Sequence, residues 1–198
     1  PQRQQSAPLI AQTIATLWSA HPGRYLLAFP SFEYLDLVAR HLDSSLPILI
    51  QPGVGKLKQR REFLRALEQT EYLAMVIAGG IFAEGIDLQH NKLSGVLIVG
   101  TCLPPPSAEQ DLIKQRFDQE GLPGFDFAYR YPGLNKVIQT AGRLIRSDED
   151  QGVVVLIDDR YTQNQYRRLL PIQWRPSVVA TEQKLRALVE DFFLPIDV

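Results

Sequence analysis

Tyr72-Leu-Ala-Met-Val-Ile-Ala78, followed at once by Gly79-Gly80, is the stretch on which the fold class turns. An apolar run without alternation, closed by two glycines, predicts a strand buried on both faces. The same pattern recurs on either side of it, at Tyr25–Phe29, Ile48–Ile50, Val96–Val99 and Val153–Ile157. Between these runs apolar residues return at helical spacing. One helix is expected from Phe32 to about Leu42 behind an N-cap at Ser31, and a basic one from Lys56 to about Glu68. Others are expected at Ala108–Glu120 and Gly133–Arg146, with terminal helices at Pro8–Ser19 and Val179–Phe192. Strands alternating with helices predict an α/β fold built on a doubly wound, mostly parallel sheet. Residues 1–198 read as a single domain, with an excursion at about 107–131 that interrupts the rhythm.

Composition narrows the function classes. The chain is 45% hydrophobic and 22% charged with a net charge of −1, which excludes a histone-like or polybasic protein. A local nucleic-acid groove is compatible with that balance. The single cysteine, Cys102, rules out an internal disulfide and any cysteine-based metal or iron–sulfur site within these residues. His21, His41 and His90 lack metal-ligand spacing. No apolar run reaches the roughly 18–20 residues of a membrane span, and no signal peptide is recognisable, so a cytoplasmic or nuclear setting is expected. The start at Pro1-Gln-Arg, without Met, reads as a cut through a larger polypeptide.

The chemistry points to Gln139-Thr-Ala-Gly142-Arg143-Leu-Ile-Arg146. On a helix, Gln139, Gly142, Arg143 and Arg146 fall at offsets 0, 3, 4 and 7, which is one face. Leu134, Val137, Ile138, Ala141, Leu144 and Ile145 occupy the other. An amide and two guanidinium forks beside a bare glycine suit a phosphate chain; a merely solvated helix face is the plain alternative.

After the run at 72–78 comes Gly79-Gly80-Ile-Phe-Ala-Glu84-Gly85-Ile-Asp87. Ligands of doubly wound sheets bind outside the carboxyl ends of the strands. This loop therefore reads as a contact to nucleotide, metal-bound water or nucleic-acid backbone, or else as an ordinary turn with capping acids. Gly53-Val54-Gly55-Lys56 is not a P-loop, since Ile50 and Leu57 stand where the motif needs Gly and Ser or Thr. Asp148-Glu-Asp150 reads as a solvated turn rather than a magnesium site. Lys56, Lys58, Arg60, Arg61 and Arg65 would line a backbone-tracking groove or a solvated helix face. Phe125, Phe127, Tyr129 and Tyr131 would stack on bases or pack under the excursion. Arginines fit for a γ-phosphate, without a cradle for the β-phosphate or Mg²⁺, describe one half of a two-lobed ATPase.

Taken together these motifs resemble superfamily-2 helicases of the DinG and XPD group. Ala83-Glu-Gly-Ile-Asp-Leu88 is similar to helicase motif V, and Gln139–Arg146 to motif VI. Pro22–Leu35 resembles the motif IV region, Gly95–Gly100 with Leu103-Pro104 the strand after motif V, and Gly152–Arg160 with Tyr166 the strand after motif VI. The resemblance implies the second RecA-like domain of an ATP-dependent DNA helicase moving 5′ to 3′ on single-stranded DNA. This is the P-loop NTPase-type fold without its own P-loop. Arg143 and Arg146 would be fingers on the γ-phosphate, and Gln139 would position the phosphate or the attacking water. Glu84, Gly85, Asp87 and Gly142 would belong to the ATP site, while Ser31, Gly79, Gly80 and Lys56 would contact nucleic acid.

The same resemblance implies ATP with Mg²⁺, the metal held mainly by a first helicase domain that is absent here along with motifs I, Ia, II and III. Any [4Fe–4S] cluster would belong to that domain too. The implied partners are that domain, single-stranded DNA and duplex junctions, with no membrane, in a bacterial nucleoid setting rather than a nucleus. A degenerate helicase-like module for binding or scaffolding, and an independent enzyme with its own small-molecule site, are the other two readings.

Overall fold

A computed structural model describes residues 2–53, 55–84, 92–145, 147 and 149–194. Its centre is a five-stranded, all-parallel sheet in the order β2-β3-β1-β4-β5. The strands are β1 (Arg24–Phe29), β2 (Ile48–Ile50), β3 (Tyr72–Ile77), β4 (Gly95–Val99) and β5 (Val153–Ile157). Each lies within a residue of the run that predicted it. β1 is central, with Leu27 opposite Met75 of β3 on one side and Leu97 of β4 on the other. The chain winds from β1 outward to β2 and β3, then crosses back to β4 and β5. The carboxyl end of β1 is therefore the point where the winding reverses.

The pleat sends alternate residues to opposite faces, and both faces are covered. Tyr25, Leu27, Phe29, Leu73, Met75, Leu97 and Val99 pack on helices α1 (Gln2–Ala20), α2 (Phe32–Ala39) and α8 (Glu182–Phe193). Leu26, Ala28, Ala74, Val76, Val96 and Ile98 pack beneath α3 (Leu57–Ala66), α4 (Ile81–Glu84) and α6 (Tyr131–Ala141). Tyr166 of the short helix α7 (Asn164–Arg167) and Leu170 complete that second core. Two-sided burial is why the strands carry no polar alternation.

Two helix boundaries depart from expectation. The first helix begins at Gln2 and runs through Pro8 instead of starting there. Contacts with α2 hold the extra turns: the Ser6 hydroxyl meets the Tyr34 hydroxyl at 2.6 Å, and Ala7 is fully buried. These offset the backbone bond that a helical proline forfeits. The expected arginine helix stops at Ala141, with Gly142 as its C-cap. The chain then tightens into i→i−3 bonds, Arg143 N–H to Thr140 O and Leu144 N–H to Ala141 O. Gly142 weakens the helix, and Leu144 is drawn into the core over Gly152, where an added Cβ would lie 2.5 Å from Leu144 Cδ1.

The excursion is helical. Ser107 caps α5 (Ala108–Gln119) by accepting the Gln110 N–H, and the segment Asp126–Arg130 runs directly into α6. There the Tyr131 N–H reaches back five residues to Asp126 O. Its aromatic residues pack internally: Phe117 stacks on Phe127 at 3.9 Å and Phe125 on Tyr129 at 5.2 Å. Of that cluster Tyr129 is buried, Phe127 and Tyr131 are half-buried and Phe125 is 40% exposed, so the rings pack on one another within the excursion and stand outside the two cores of the sheet.

Candidate nucleotide and nucleic-acid site

The carboxyl rim of the sheet gathers the loops after β1, β3, β4 and β5. After β3, Gly79 takes φ +74, a left-handed conformation suited to glycine. The stem of Lys136 lies on it: a Cβ at Gly79 would stand 2.9 Å from Lys136 Cδ. This contact seats the second turn of α6 on the glycine loop. One turn earlier, Gly133 lets α6 approach the exit of β4, since a Cβ there would fall 2.6 Å from the Thr101 carbonyl oxygen. Thr101 itself is buried, and its hydroxyl has no hydrogen-bond partner among the described residues.

From that seat α6 carries Lys136 and Gln139 at i and i+3, a stripe on one face, and Arg143 follows in the tightened turn just past its C-cap. Gln139 and Gly142 are exposed and Arg143 is half-buried. Leu134, Val137, Ala141 and Leu144 are buried as the spacing requires, but Ile145 is 51% exposed because the helix has already ended. The Arg143 guanidinium makes no hydrogen bond or ion pair with any described residue, its backbone N–H alone being bonded, to Thr140 O. The structure therefore brings Gln139, Gly142 and Arg143 together, and seats their helix on Gly79. The side chain of Glu84, together with Gly85, Asp87 and Arg146, lies outside the described residues. Lys136 was missed in the sequence, although its position three residues before Gln139 puts it on the same face.

The other expected contacts are dispersed. Ser31 caps α2, its hydroxyl oxygen accepting the Tyr34 N–H at 3.3 Å and approached by Arg3 at 3.4 Å. Lys56 is exposed at the start of α3, on the β2 side of the sheet, beside a cavity lined by Phe32, Asp36, Ile50 and Gln51. It stands apart from the α6 stripe. The basic helix is largely solvated, with Lys58 4.0 Å from Glu62 and Arg60 over the Phe82 ring. Glu149 and Asp150 pair with Lys92 in a turn after α6. No group of three or more His, Cys, Asp or Glu side chains among the described residues is placed to hold a metal ion.

The root of α6 is fixed by a second arginine that the sequence did not single out. Arg130 is buried and ion-paired with the buried Asp126. It donates to Gln165 Oε1 at 2.9 Å, and its guanidinium lies 5.6 Å from the Phe125 ring centre and 5.0 Å from that of Tyr166. Arg160 stands 5.9 Å from the same Tyr166 ring and grips Asp158 through two 2.8 Å hydrogen bonds. Tyr161 donates to the Gly100 carbonyl at 2.8 Å, tying the exit of β5 to the exit of β4. Beneath them Cys102 holds φ +52, and burial pushes its thiol up to about 11, Asp158 adding to the rise and Lys136 and Arg160 opposing it. The thiol is thus a protonated, inert packing group at neutral pH.

This arrangement is a RecA-like α/β domain: a parallel sheet whose rim loops and one polar helix face share a side. The family model for the helicase C-terminal domain matches residues 14–177, and the chain belongs to that family. It is 30% identical over 140 residues to the ATP-dependent DNA helicase XPD of Sulfolobus acidocaldarius, covering 69% of this chain and 25% of that protein. It is also 30% identical over 173 residues to the ATP-dependent DNA helicase YoaA of Escherichia coli, covering 84% of this chain and 26% of YoaA. A solved XPD helicase structure superposes with a TM-score of 0.68 at 24% identity, over 83% of this chain and 30% of that one. The chain thus spans about a quarter of the length of these curated relatives.

Proposed function

We propose that this domain is the finger-bearing half of an ATP-driven motor on single-stranded DNA, inactive without a phosphate-cradling first domain. The observation that carries the reading is Arg143: a half-buried guanidinium in the turn just past the helix of Gln139, with no hydrogen bond or ion pair to any described residue. An unneutralised fork of this kind suits charge supplied by another molecule. In the closed motor, Arg143 and Arg146 reach the γ-phosphoryl group bound by the first domain. They stabilise the charge that spreads over its equatorial oxygens as the bond to the leaving oxygen breaks. Gln139 positions the phosphate or the attacking water. Glu84, Gly85, Asp87 and Gly142 line the nucleotide side, while Ser31, Gly79, Gly80 and Lys56 face the DNA backbone.

Mg²⁺ belongs with the first domain in this scheme, and no step here runs through it. Residues 1–198 act as one domain, in a polypeptide that works on DNA in the cytoplasm. The test is single-strand-stimulated ATP hydrolysis by the full-length polypeptide, wild type against Arg146→Ala. Turnover should fall at least about a hundredfold with strand binding largely kept. Equal turnover in the variant, or none in the wild type, would leave a binding or scaffolding module as the better reading.

A further inference from the structure

One strongly charged feature lies outside the α6 stripe. From Arg160 to Thr181 the chain holds four arginines and not one aspartate or glutamate, in a protein whose net charge is −1. Arg160 is neutralised by Asp158. Arg167, Arg168 and Arg175 are exposed, and none of their guanidiniums makes a hydrogen bond or ion pair with a described residue. They surround a cavity of about 500 Å³ whose apolar wall includes Pro171, Ile172 and Trp174. Ile172 is 97% exposed, and Trp174 is half-buried.

The arm is well anchored for an irregular segment. Tyr166 and Leu170 are buried in the core beneath α6, and Trp174 packs against the same core. Tyr166 lies between Arg130 and Arg160, and the Trp174 N–H closes a turn on Pro171 O at 2.9 Å. With positions 166 and 170 turned inward, 167 and 168 are left facing out. The backbone that carries the three guanidiniums is thus anchored around the hollow, so that binding has the side chains, and not the arm, left to order.

We infer that this arm is an additional, sequence-independent contact for single-stranded nucleic acid. Arg167, Arg168 and Arg175 take successive backbone phosphates, and Trp174 with Ile172 receives an unpaired base. Forked donors match phosphate oxygens, and an aromatic face accepts any base, which together are what a translocating single strand requires. A duplex would offer the phosphates but keep its bases from the hollow. The inference rests on the proposal that the polypeptide works on single-stranded DNA.

The experiment measures binding of a fluorescently labelled oligothymidine strand to the full-length polypeptide across a salt series. It compares wild type, the triple variant Arg167→Ala/Arg168→Ala/Arg175→Ala, and the triple lysine variant. All three side chains are exposed, so the thermal midpoint should stay within about 2 °C of wild type. The alanine variant should bind at least about tenfold more weakly at low salt. Its dependence of log affinity on log salt should be shallower by about 2, since each single-strand phosphate contact contributes roughly 0.7. The lysine variant should recover most of both effects. Wild-type binding matched by the alanine variant, with the same salt slope, overturns the inference and leaves the motor proposal standing. So does an unchanged DNA affinity with lost binding of polyglutamate, which would make the arm a dock for acidic protein. If the wild type binds no single strand at all, both readings fall together.

Discussion

Arg130 and Arg143 stand at opposite ends of one helix and live opposite lives. Arg130, at the root of α6, is buried, ion-paired with Asp126, hydrogen-bonded to Gln165 and packed between aromatic rings. Arg143, just past the other end, is half-buried, its guanidinium without a partner among the described residues. A buried charge must be paired to be tolerated, whereas a charge that waits for a ligand must not be. In the proposed motor the difference divides the labour: one end of α6 is locked to the excursion and the arm, and the other is offered outward. Arg160, tied to Asp158, belongs with the first kind, and Arg167, Arg168 and Arg175 with the second.

The comparison can be broken most sharply at Arg143. In the full-length polypeptide, Arg143→Ala should lower strand-stimulated ATP turnover by at least about a thousandfold, within the usual span for a finger, while melting as the wild type does. Arg143→Lys keeps the charge but loses the fork, and should recover only a minor part of the rate.

Arg130→Ala should do its damage elsewhere. It strands the buried Asp126 carboxylate, at a cost of about 3 kcal/mol, which lowers the melting temperature by about 10 °C for a domain of this size. Differential scanning calorimetry measures that directly. Replacing Asp126 and Arg130 together by apolar residues should restore much of the loss; no recovery would show that the aromatic packing, not the ion pair, holds the root of α6.

Gly133→Ala tests the seat of the helix. Its Cβ would fall 2.6 Å from the Thr101 oxygen, so α6 must shift, and about 1–3 kcal/mol of stability should go, read by urea unfolding. A neutral result would mean that the approach of α6 to β4 is looser than the geometry indicates.

The smallest effect concerns pH. Cys102 has its pKa raised from 9.0 to about 11, so the folded chain holds a proton that the unfolded chain gives up above about pH 9. Its contribution is complete below pH 9 and is lost as pH rises through 11, amounting to about 1 kcal/mol at pH 10. Tyr72, raised to about 12 by burial, acts in the same direction at higher pH. Urea midpoints at pH 8 and pH 10 should therefore differ in wild type and differ less in Cys102→Ala.

The sheet was legible because its signal is local. An apolar run bounded by glycine or proline declares a two-sided strand, and β3 runs from Tyr72 to Ile77 where Tyr72–Ala78 was expected. Helix ends were less legible because tertiary contacts set them. Ser6 on Tyr34 carries α1 past Pro8, and the burial of Leu144 ends α6 early. The nearness of Gln139 and Arg143 was readable from spacing. The Asp126–Arg130 pair was not, since an i,i+4 acid–base pair looks the same in sequence whether buried or solvated, as Lys114–Asp118 is here. Lys136 escaped because its environment, the bare Gly79 backbone, comes from another part of the chain.

The central claim, that α6 is anchored at one end in order to offer an arginine at the other, is tested most directly by one paired measurement. Strand-stimulated ATP turnover and melting temperature are recorded for Arg143→Ala and Arg130→Ala in the same full-length polypeptide. The account predicts a crossed pattern: Arg143→Ala loses turnover and keeps its melting temperature, while Arg130→Ala loses melting temperature first. If Arg143→Ala turns over ATP like the wild type, the account is contradicted, whatever Arg130→Ala does.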